Sequence, residues 1–247
     1  MPSFHQNTFG RKIAYEYISG EGPTVVFLGG FMSDMSGSKA VHLERWAKEC
    51  GQAYLRFDYA GHGQSSGAFI DHAIGDWVQD AGDIIQAKTS GPLTLIGSSM
   101  GGWISLILAQ LPHLDIAGLI TINAAPDFTE ASMWANFTQA QKDEVLNEGV
   151  TMLPSDYGED YPITKRLIED GRTHLVMDTP LNFDFPVLLL QGAADRVVTR
   201  ETALNLFDHI GAKDSRLILV KDGDHSLSTP HDLNILTSEL NRMLELT

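Results

Sequence analysis

The sequence predicts an α/β fold in which a mostly parallel, doubly wound sheet of about eight strands carries helices on both faces. Short apolar runs typical of buried strands alternate with longer segments of helical periodicity, and this alternation favours parallel strands joined by right-handed crossovers. The stretch 93–111 adds a second indication, because an apolar run turns sharply at glycines and continues as an apolar helix. Since α/β folds of about this length are often one domain, we expect the 247 residues to form a single domain, 1–247.

The predicted strands are short apolar or β-branched runs bounded by turn residues. In chain order they cover 3–9, 12–18, 24–28, 53–57, 93–96, 116–122, 187–192 and 216–220. The first two flank Gly10 and are expected to form a hairpin. The predicted helices carry apolar residues at three- and four-residue spacing, which turns one face inward. They cover 39–49, 74–87, 102–111, 199–210 and 231–246.

The segment 127–180 interrupts this alternation. It contains no obvious core strand, and its methionines and aromatic residues lie on weakly predicted helices. We interpret it as a small helical cap over the carboxyl edge of the strands, where folds of this kind bind ligands. Met133, Trp134 and Met152 are the cap residues expected to receive a substrate, although the same residues could simply form the core of the cap.

Ser99 is the predicted nucleophile. It lies in a G-x-S-x-G match at 97–101, between a buried strand and an apolar helix, which is the nucleophile elbow of the α/β-hydrolase fold. A second match at 63–67 contains Ser65. Ser65 comes several residues after its nearest strand and is followed by no comparable helix, so we interpret 61–67 as a loop. His62 within that loop is expected to stabilise it rather than to take part in catalysis.

A serine hydroxyl needs a base and an orienting acid to act as a nucleophile. In this fold the order along the chain is serine, acid, histidine. Asp195 and His225 each follow a late predicted strand and precede a helix, so both are expected to reach one point above the sheet. Asp127, which follows strand 116–122, is the alternative acid. His225 is the only histidine on a post-strand loop after Asp195.

The oxyanion of such a reaction needs backbone N–H donors. The first is expected from Met100, the residue after the nucleophile, and the second from Phe31, after strand 24–28. Gly30 would let the backbone approach the substrate closely. A plain glycine turn is the alternative interpretation of this loop.

Composition excludes several other classes of function. The formal net charge of −15, without any basic run, argues against a nucleic-acid partner. No apolar run reaches the ~18 residues of a membrane span, and no secretory signal is apparent at the N-terminus, so a cytoplasmic location is expected. No spacing typical of a metal or nucleotide site occurs. We therefore expect neither a metal nor a cofactor.

Three motifs resemble a known family. They are GGFMSDMSGSKA at 29–40, RFDYAGHGQS at 56–65 and GSSMGGW at 97–103. Together they are similar to the family of the mitochondrial palmitoyl-protein thioesterase, also called mycophenolic acid acyl-glucuronide esterase. The likeness extends over nearly the whole chain, including 150–161. Because no transit segment is visible, we expect a bacterial relative.

This resemblance implies an α/β-hydrolase with nucleophile Ser99, acid Asp195 and base His225. It also implies hydrolysis of S-acylated proteins or of small activated acyl esters. A general carboxylesterase or lipase would share these residues, as would a peptidase of the same fold. A catalytically silent ligand-binding protein is the alternative of another class, and the presence of all three catalytic residue types argues against it.

Overall fold

The computed structural model describes residues 2–154 and 160–246. Its strands are, in chain order, β1 (Ser3–Gln6), β2 (Lys12–Ile18), β3 (Glu21–Leu28), β4 (Gln52–Phe57), β5 (Leu93–Ser98), β6 (Ile116–Ile122), β7 (Val150–Leu153), β8 (Tyr161–Thr164), β9 (Leu181–Phe183), β10 (Val187–Gly192), β11 (Ile210–Ala212) and β12 (Ser215–Val220). The α-helices are α1 (Ser38–Cys50), α2 (Ile74–Lys88), α3 (Met100–Leu108), α4 (Gln139–Asn147), α5 (Lys165–Gly171), α6 (Arg200–His209) and α7 (Pro230–Leu244).

Eight strands form one sheet in the order β1-β2-β4-β3-β5-β6-β10-β12. β1 and β2 pair antiparallel, as do β2 and β4, and every later pair is parallel. The predicted mostly parallel, eight-stranded sheet is confirmed. Because parallel strands point the same way, the loops after β3, β5, β6, β10 and β12 leave one edge of the sheet, and all the predicted catalytic residues lie on them.

Both faces of the sheet are covered by helices, as predicted. Successive residues of a strand point to opposite faces, so Leu95 of β5 packs into one apolar cluster and Ile96 into the other. The first cluster includes Trp77 of α2 and Trp103 of α3. The second includes Leu43 of α1 and residues of α7. The central strands are thereby buried on both sides and give the loops at their ends a rigid base.

The segment 127–180 differs in part from the predicted helical cap. It contains a π-helix at Thr129–Trp134 and the helices α4 and α5. It also contains β7 and β8, which pair antiparallel and form a small sheet separate from the main one. These four-residue strands are too short to produce a clear alternating pattern. The stretch 155–159, inside the region of family likeness, lies outside the described residues. The division of the chain into one domain with a cap stays a prediction.

Hydrogen bonds connect this segment to the helices beneath it. Asp170 Oδ2 accepts from the Gly75 N–H at the start of α2 (2.7 Å), and Trp103 Nε1 donates to the His174 carbonyl (3.0 Å). These contacts hold the segment against α2 and α3. Among the described residues, no helix is both long and apolar enough to cross a membrane.

Candidate active site

Ser99 lies at a sharp turn between β5 and α3. Its backbone φ is 54°, a positive value that is strained for residues other than glycine. The turn is possible because Gly97 and Gly101, two residues before and after Ser99, carry no Cβ. A Cβ on Gly97 would lie 2.2 Å from the Gly101 carbonyl oxygen, and one on Gly101 would lie 2.1 Å from the Leu28 carbonyl oxygen. The predicted elbow geometry is therefore present.

Asp195 and His225 are directly hydrogen-bonded. His225 Nδ1 lies 2.7 Å from Asp195 Oδ2, and the Asp195 side chain is completely buried. The second carboxylate oxygen, Oδ1, accepts from the Val197 and Val198 amides at 2.7 and 2.9 Å. With the carboxylate fixed on both sides, Nδ1 carries the proton and Nε2 keeps a free lone pair. About a quarter of the His225 side chain is exposed, so a base is accessible at this edge.

The Ser99 hydroxyl forms no hydrogen bond within residues 2–154 and 160–246. Bonds between a nucleophile and its base are often long without substrate and shorten in the reactive complex. The structure thus brings together the predicted acid and base, and places the predicted nucleophile on the same edge of the sheet.

The two alternative residues have other partners. Ser65 Oγ donates to the Asp58 carbonyl (2.6 Å) and accepts from the Ala14 amide (2.8 Å), which fixes it in the loop that connects β4 to α2. Asp127 accepts from the Val176 and Met177 amides at 2.8 and 3.0 Å. Burial raises the pKa of this carboxyl. Both side chains are therefore engaged in holding backbone, and neither is directed to His225.

The two predicted oxyanion donors are the Met100 N–H, directly after Ser99, and the Phe31 N–H, in the loop after β3. Met100 is the first residue of α3, so its N–H has no partner within the helix. Neither this N–H nor that of Phe31 donates to another group in the described parts of the chain. A Cβ on Gly30 would lie 3.4 Å from Ser99 Cβ, which places the loop after β3 directly over the nucleophile.

The three predicted substrate-binding cap residues lie in different surroundings. Met133 and Trp134 are partly buried against the apolar cluster that includes Trp77 and Trp103, whereas Met152 on β7 is half exposed. Trp134 has the Arg172 guanidinium 4.8 Å and the Lys142 ammonium 5.5 Å from its ring centroid. Their role in substrate binding stays a prediction.

An aromatic group around Phe31 was not predicted from the sequence. The Phe31 ring packs edge-on against Phe69, Phe128 and Tyr161, with centroid distances of 4.9, 5.5 and 6.1 Å. These residues come from three separate segments of the chain and share no sequence motif, so only the tertiary structure brings them together. They form an apolar wall beside the predicted oxyanion site. Residues 2–154 and 160–246 contain no group of three or more His, Cys, Asp or Glu side chains that could hold a metal ion.

Comparison with known proteins identifies the family. A family model described as "Serine aminopeptidase, S33" matches residues 22–154. The mouse mitochondrial palmitoyl-protein thioesterase ABHD10 is 32% identical over 95% of this chain and 79% of its own length. The human protein of the same name is 31% identical over 95% of the chain and 77% of its own length. The chain belongs to the ABHD10 family.

Solved structures agree with this assignment. A putative hydrolase from Agrobacterium vitis superposes with a TM-score of 0.93 at 36% identity, covering 99% of both chains. Mouse alpha/beta hydrolase domain-containing protein 10 superposes with a TM-score of 0.90 at 30% identity, covering 99% of this chain and 98% of that one. The α/β-hydrolase fold and the family resemblance predicted from the sequence are confirmed. The chain is a serine hydrolase.

One of the three ABHD10-like motifs reaches the loop of His225. Lys39, in the S-G-S-K-A part of the motif, donates from Nζ to the Ser226 carbonyl. Burial lowers the pKa of Lys39 to about 8, while Asp224 and Asp232 act in the opposite direction. The motif at 29–40 therefore contains Phe31 near one end and supports the loop of His225 near the other.

Asn123 was also not predicted from the sequence. It follows β6 directly, is completely buried, and has a φ of 46°. Its Oδ1 accepts from the Gly192 amide (2.7 Å), and its Nδ2 donates to the Asp224 and His225 carbonyls (3.0 and 2.8 Å). One amide thus joins the loop of the acid to the loop of the base. A polar residue directly after a buried strand is the signal that could have identified it.

Replacing Asn123 by aspartate is expected to lower kcat by about 10- to 100-fold, because small misplacements of reacting groups carry penalties of that size. The carboxylate would still accept from Gly192 but would repel the two carbonyls that it faces. Turnover per labelled active site measures the effect. Asn136→Asp, at an exposed amide that donates only to the Ser132 carbonyl, is the matched control. Equal kcat values in the two variants would contradict this role of Asn123.

His62 is buried in the neutral form. The residue is 4% exposed, and burial lowers the pKa of its imidazole from the usual 6.5 to about 4. The hydrogen bond to the Ala60 carbonyl raises this pKa, and the nearby His72 lowers it further. Nδ1 lies 3.2 Å from that carbonyl, and Nε2 lies 3.2 Å from the Met32 N–H. Nδ1 is accordingly the protonated nitrogen and Nε2 the acceptor, as expected of a residue that stabilises a loop.

The low pKa of His62 predicts loss of stability in acid. The unfolded chain binds this proton below about pH 6.5 and the folded chain only near pH 4, so the free energy of unfolding decreases over that range. Relative to His62→Gln, wild type is expected to lose about 2 kcal/mol between pH 7 and pH 4.5, at 1.36 kcal/mol per pKa unit. Urea unfolding at both pH values measures the change, and a difference between the proteins that does not vary with pH would contradict it.

Proposed function

We propose that this chain hydrolyses acyl thioesters or esters through an acyl-enzyme, with Ser99 as nucleophile, His225 as base and Asp195 as the orienting acid. The observation that carries the proposal is the 2.7 Å contact between His225 Nδ1 and the buried Asp195 Oδ2, on the sheet edge where Ser99 occupies a nucleophile elbow. Membership of the ABHD10 family supports the same reaction class.

In the acylation step, His225 Nε2 takes the proton from Ser99 Oγ as that oxygen attacks the acyl carbon. Negative charge then develops on the former carbonyl oxygen. The free N–H groups of Phe31 and Met100 would stabilise that charge. When the intermediate collapses, the bond from carbon to sulfur or oxygen breaks, and the imidazolium gives its proton to the leaving thiol or alcohol.

In the deacylation step, water follows the same route. His225 removes a proton from the water as its oxygen attacks the ester on Ser99, and the same two amides bind the second oxyanion. Collapse releases the carboxylic acid and returns the proton to Ser99. Asp195 remains ionised and stabilises the imidazolium in both steps.

We infer that the acyl group lies in an apolar site covered by the segment 127–180, the proposed cap. The aromatic wall around Phe31 supports this placement, because acyl chains are favoured on apolar surface. The relatives named palmitoyl-protein thioesterase suggest an S-acylated protein as substrate, and a small activated acyl ester is the other substrate that we propose. A cytoplasmic location stays a prediction, since those relatives are named as mitochondrial.

The test uses oxygen esters and thioesters that share the same acyl chains. Purified protein is assayed with p-nitrophenyl esters and S-acyl peptides of 2 to about 16 carbons. A kcat/KM that rises with chain length and is higher for the S-acyl peptides supports a thioesterase. A maximum at short esters, with no thioester turnover, instead indicates a general carboxylesterase. Failure of a fluorophosphonate to label the protein would indicate a silent ligand-binding protein.

Peptide hydrolysis is the second candidate function, because the matching family model is described as a serine aminopeptidase. Esters and thioesters have better leaving groups than amides and need less protonation of the departing atom. An aminopeptidase substrate panel, tested beside the acyl panel, separates the two functions. Turnover of aminoacyl anilides with no acyl-ester turnover would favour the peptidase.

A further inference from the structure

The loop 29–35, here called the donor loop, crosses over the nucleophile. Phe31 supplies the N–H proposed to bind the oxyanion, and Gly30 lies so near the nucleophile that a Cβ added to it would be in van der Waals contact with Ser99 Cβ. The position of this N–H matters because an oxyanion donor acts only at a well-defined distance from the developing charge. The groups that hold the donor loop are therefore candidates for control of the reaction rate.

The peptide group that contains the Phe31 N–H is held through its carbonyl. The Gly30 carbonyl accepts from the Ser33 amide (3.2 Å) and from Ser33 Oγ (2.8 Å). Because a trans peptide is planar, the Phe31 N–H must point away from this carbonyl. These two hydrogen bonds therefore orient the donor, but Ser33 belongs to the same loop and cannot fix it to the rest of the protein.

The next peptide along the chain is held from outside the loop. Met32 has a φ of 54°, a conformation that costs free energy for a residue other than glycine. Its N–H donates to His62 Nε2 across 3.2 Å. Further on, the Met35 N–H donates to Asp58 Oδ1 at 2.7 Å. Along the chain, His62 is thus the external hydrogen-bond partner nearest to the oxyanion donor.

His62 is itself rigid. Its ring packs edge-on against Tyr59 and Trp77, with centroid distances of 5.6 and 5.1 Å, and Nδ1 is bonded to the Ala60 carbonyl. The acceptor therefore has a fixed place, on a loop that extends from the end of β4. This explains in physical terms why a histidine stands between two glycines in the G-H-G part of the motif at 56–65.

We propose that His62 is a positioning residue that holds the Phe31 N–H in the oxyanion site through the hydrogen bond from Met32 to Nε2. The inference rests on the proposed function. It assigns to His62 an effect on transition-state binding that would be absent if the residue only stabilised the fold.

The test compares His62→Leu with His62→Gln. Leucine removes the acceptor but keeps apolar bulk, whereas the amide oxygen of glutamine can occupy the place of Nε2. For His62→Leu, we expect kcat per fluorophosphonate-titrated site to fall about 10- to 100-fold, below the 10²- to 10³-fold typical of losing the donor itself. We expect KM to change less than twofold. Inhibition by an alkyl boronic acid, whose adduct carries a tetrahedral oxyanion, should weaken by the same factor as kcat.

His62→Gln should recover most of the rate and most of the boronic acid affinity. His72→Leu makes the same substitution on the following turn, where Nδ1 lies 3.9 Å from Asp76 Oδ2, and is the control that should retain wild-type kcat. If His62→Leu does not fold, His62→Asn replaces it, because asparagine is too short to reach Met32 and should show the same loss.

Two results would overturn the inference. One is that His62→Leu, which lacks the acceptor, has the same kcat per titrated site as wild type. The other is a fall in kcat without weaker boronic acid binding. In both cases, labelling of Ser99 by fluorophosphonate would leave the proposed function standing. Absence of labelling in wild type would instead remove the proposed function, and the inference with it.

Discussion

Replacing Ser99 by alanine is expected to lower turnover of acyl esters and thioesters by at least ~10⁴-fold, as removal of a triad nucleophile does in serine hydrolases. The variant loses the hydroxyl that attacks the acyl carbon in the proposed mechanism, so the acyl-enzyme cannot form. Fluorophosphonate labelling, measured as a mass increase of the intact protein, should disappear as well. The thermal midpoint should remain close to wild type, because the Ser99 hydroxyl forms no hydrogen bond in the described residues.

Ser65→Ala is the matched control, since Ser65 is the serine of the second G-x-S-x-G match. It should keep kcat and labelling within a few-fold of wild type. The free energy of unfolding should fall by about 1 kcal/mol for each hydrogen bond lost. Ser65 Oγ forms two such bonds, to the Asp58 carbonyl and from the Ala14 amide. An inactive Ser65→Ala protein together with an active Ser99→Ala protein would contradict the assignment.

Replacing Asp195 by asparagine is expected to lower kcat by about 10⁴-fold, the loss seen when the acid of a triad becomes an amide. The amide can present an N–H to His225 Nδ1, which favours the tautomer with its proton on Nε2. The imidazole then has no lone pair for the Ser99 proton. Steady-state kinetics on the preferred acyl substrate measures the loss, and circular dichroism verifies the fold.

Asp127→Asn tests the alternative acid with the same chemical change. Asp127 accepts two backbone amides, and an asparagine can accept only one of them. We expect stability to fall by about 1–3 kcal/mol, the cost of an unsatisfied buried group, with kcat within tenfold of wild type. A loss of activity greater in Asp127→Asn than in Asp195→Asn would make Asp127 the acid.

Most of the sheet could be predicted because its strands are short apolar runs with clear ends. The prediction for β6 agrees at both ends with the structure, and those for β10 and β12 agree within one residue. The same property led to Asp195 and His225, because each lies on a loop between a buried strand and a helix. The elbow was predictable because a side chain at 97 or 101 would collide with backbone.

Features that depend on short or irregular elements were not predictable. β9 and β11 have three residues each, and the π-helix at Thr129–Trp134 repeats with a different period from an α-helix. The predicted helix at 102–111 begins at Met100 and ends at Leu108. Residues at element ends lack the periodic pattern that identifies the middle of a helix, so such boundaries are the least certain part of a prediction.

By itself, the sequence determined the order of strands and helices, the tight elbow at Ser99, and the loops that carry Asp195 and His225. Local physics sets these features, through apolar periodicity, glycine geometry and position after a strand. The tertiary structure alone decided that Asn123 joins the loops of Asp195 and His225, that His62 accepts from Met32, and that aromatic rings from separate segments of the chain surround Phe31. Each of those contacts joins residues far apart in the chain, and their geometry depends on how the strands are ordered in the sheet.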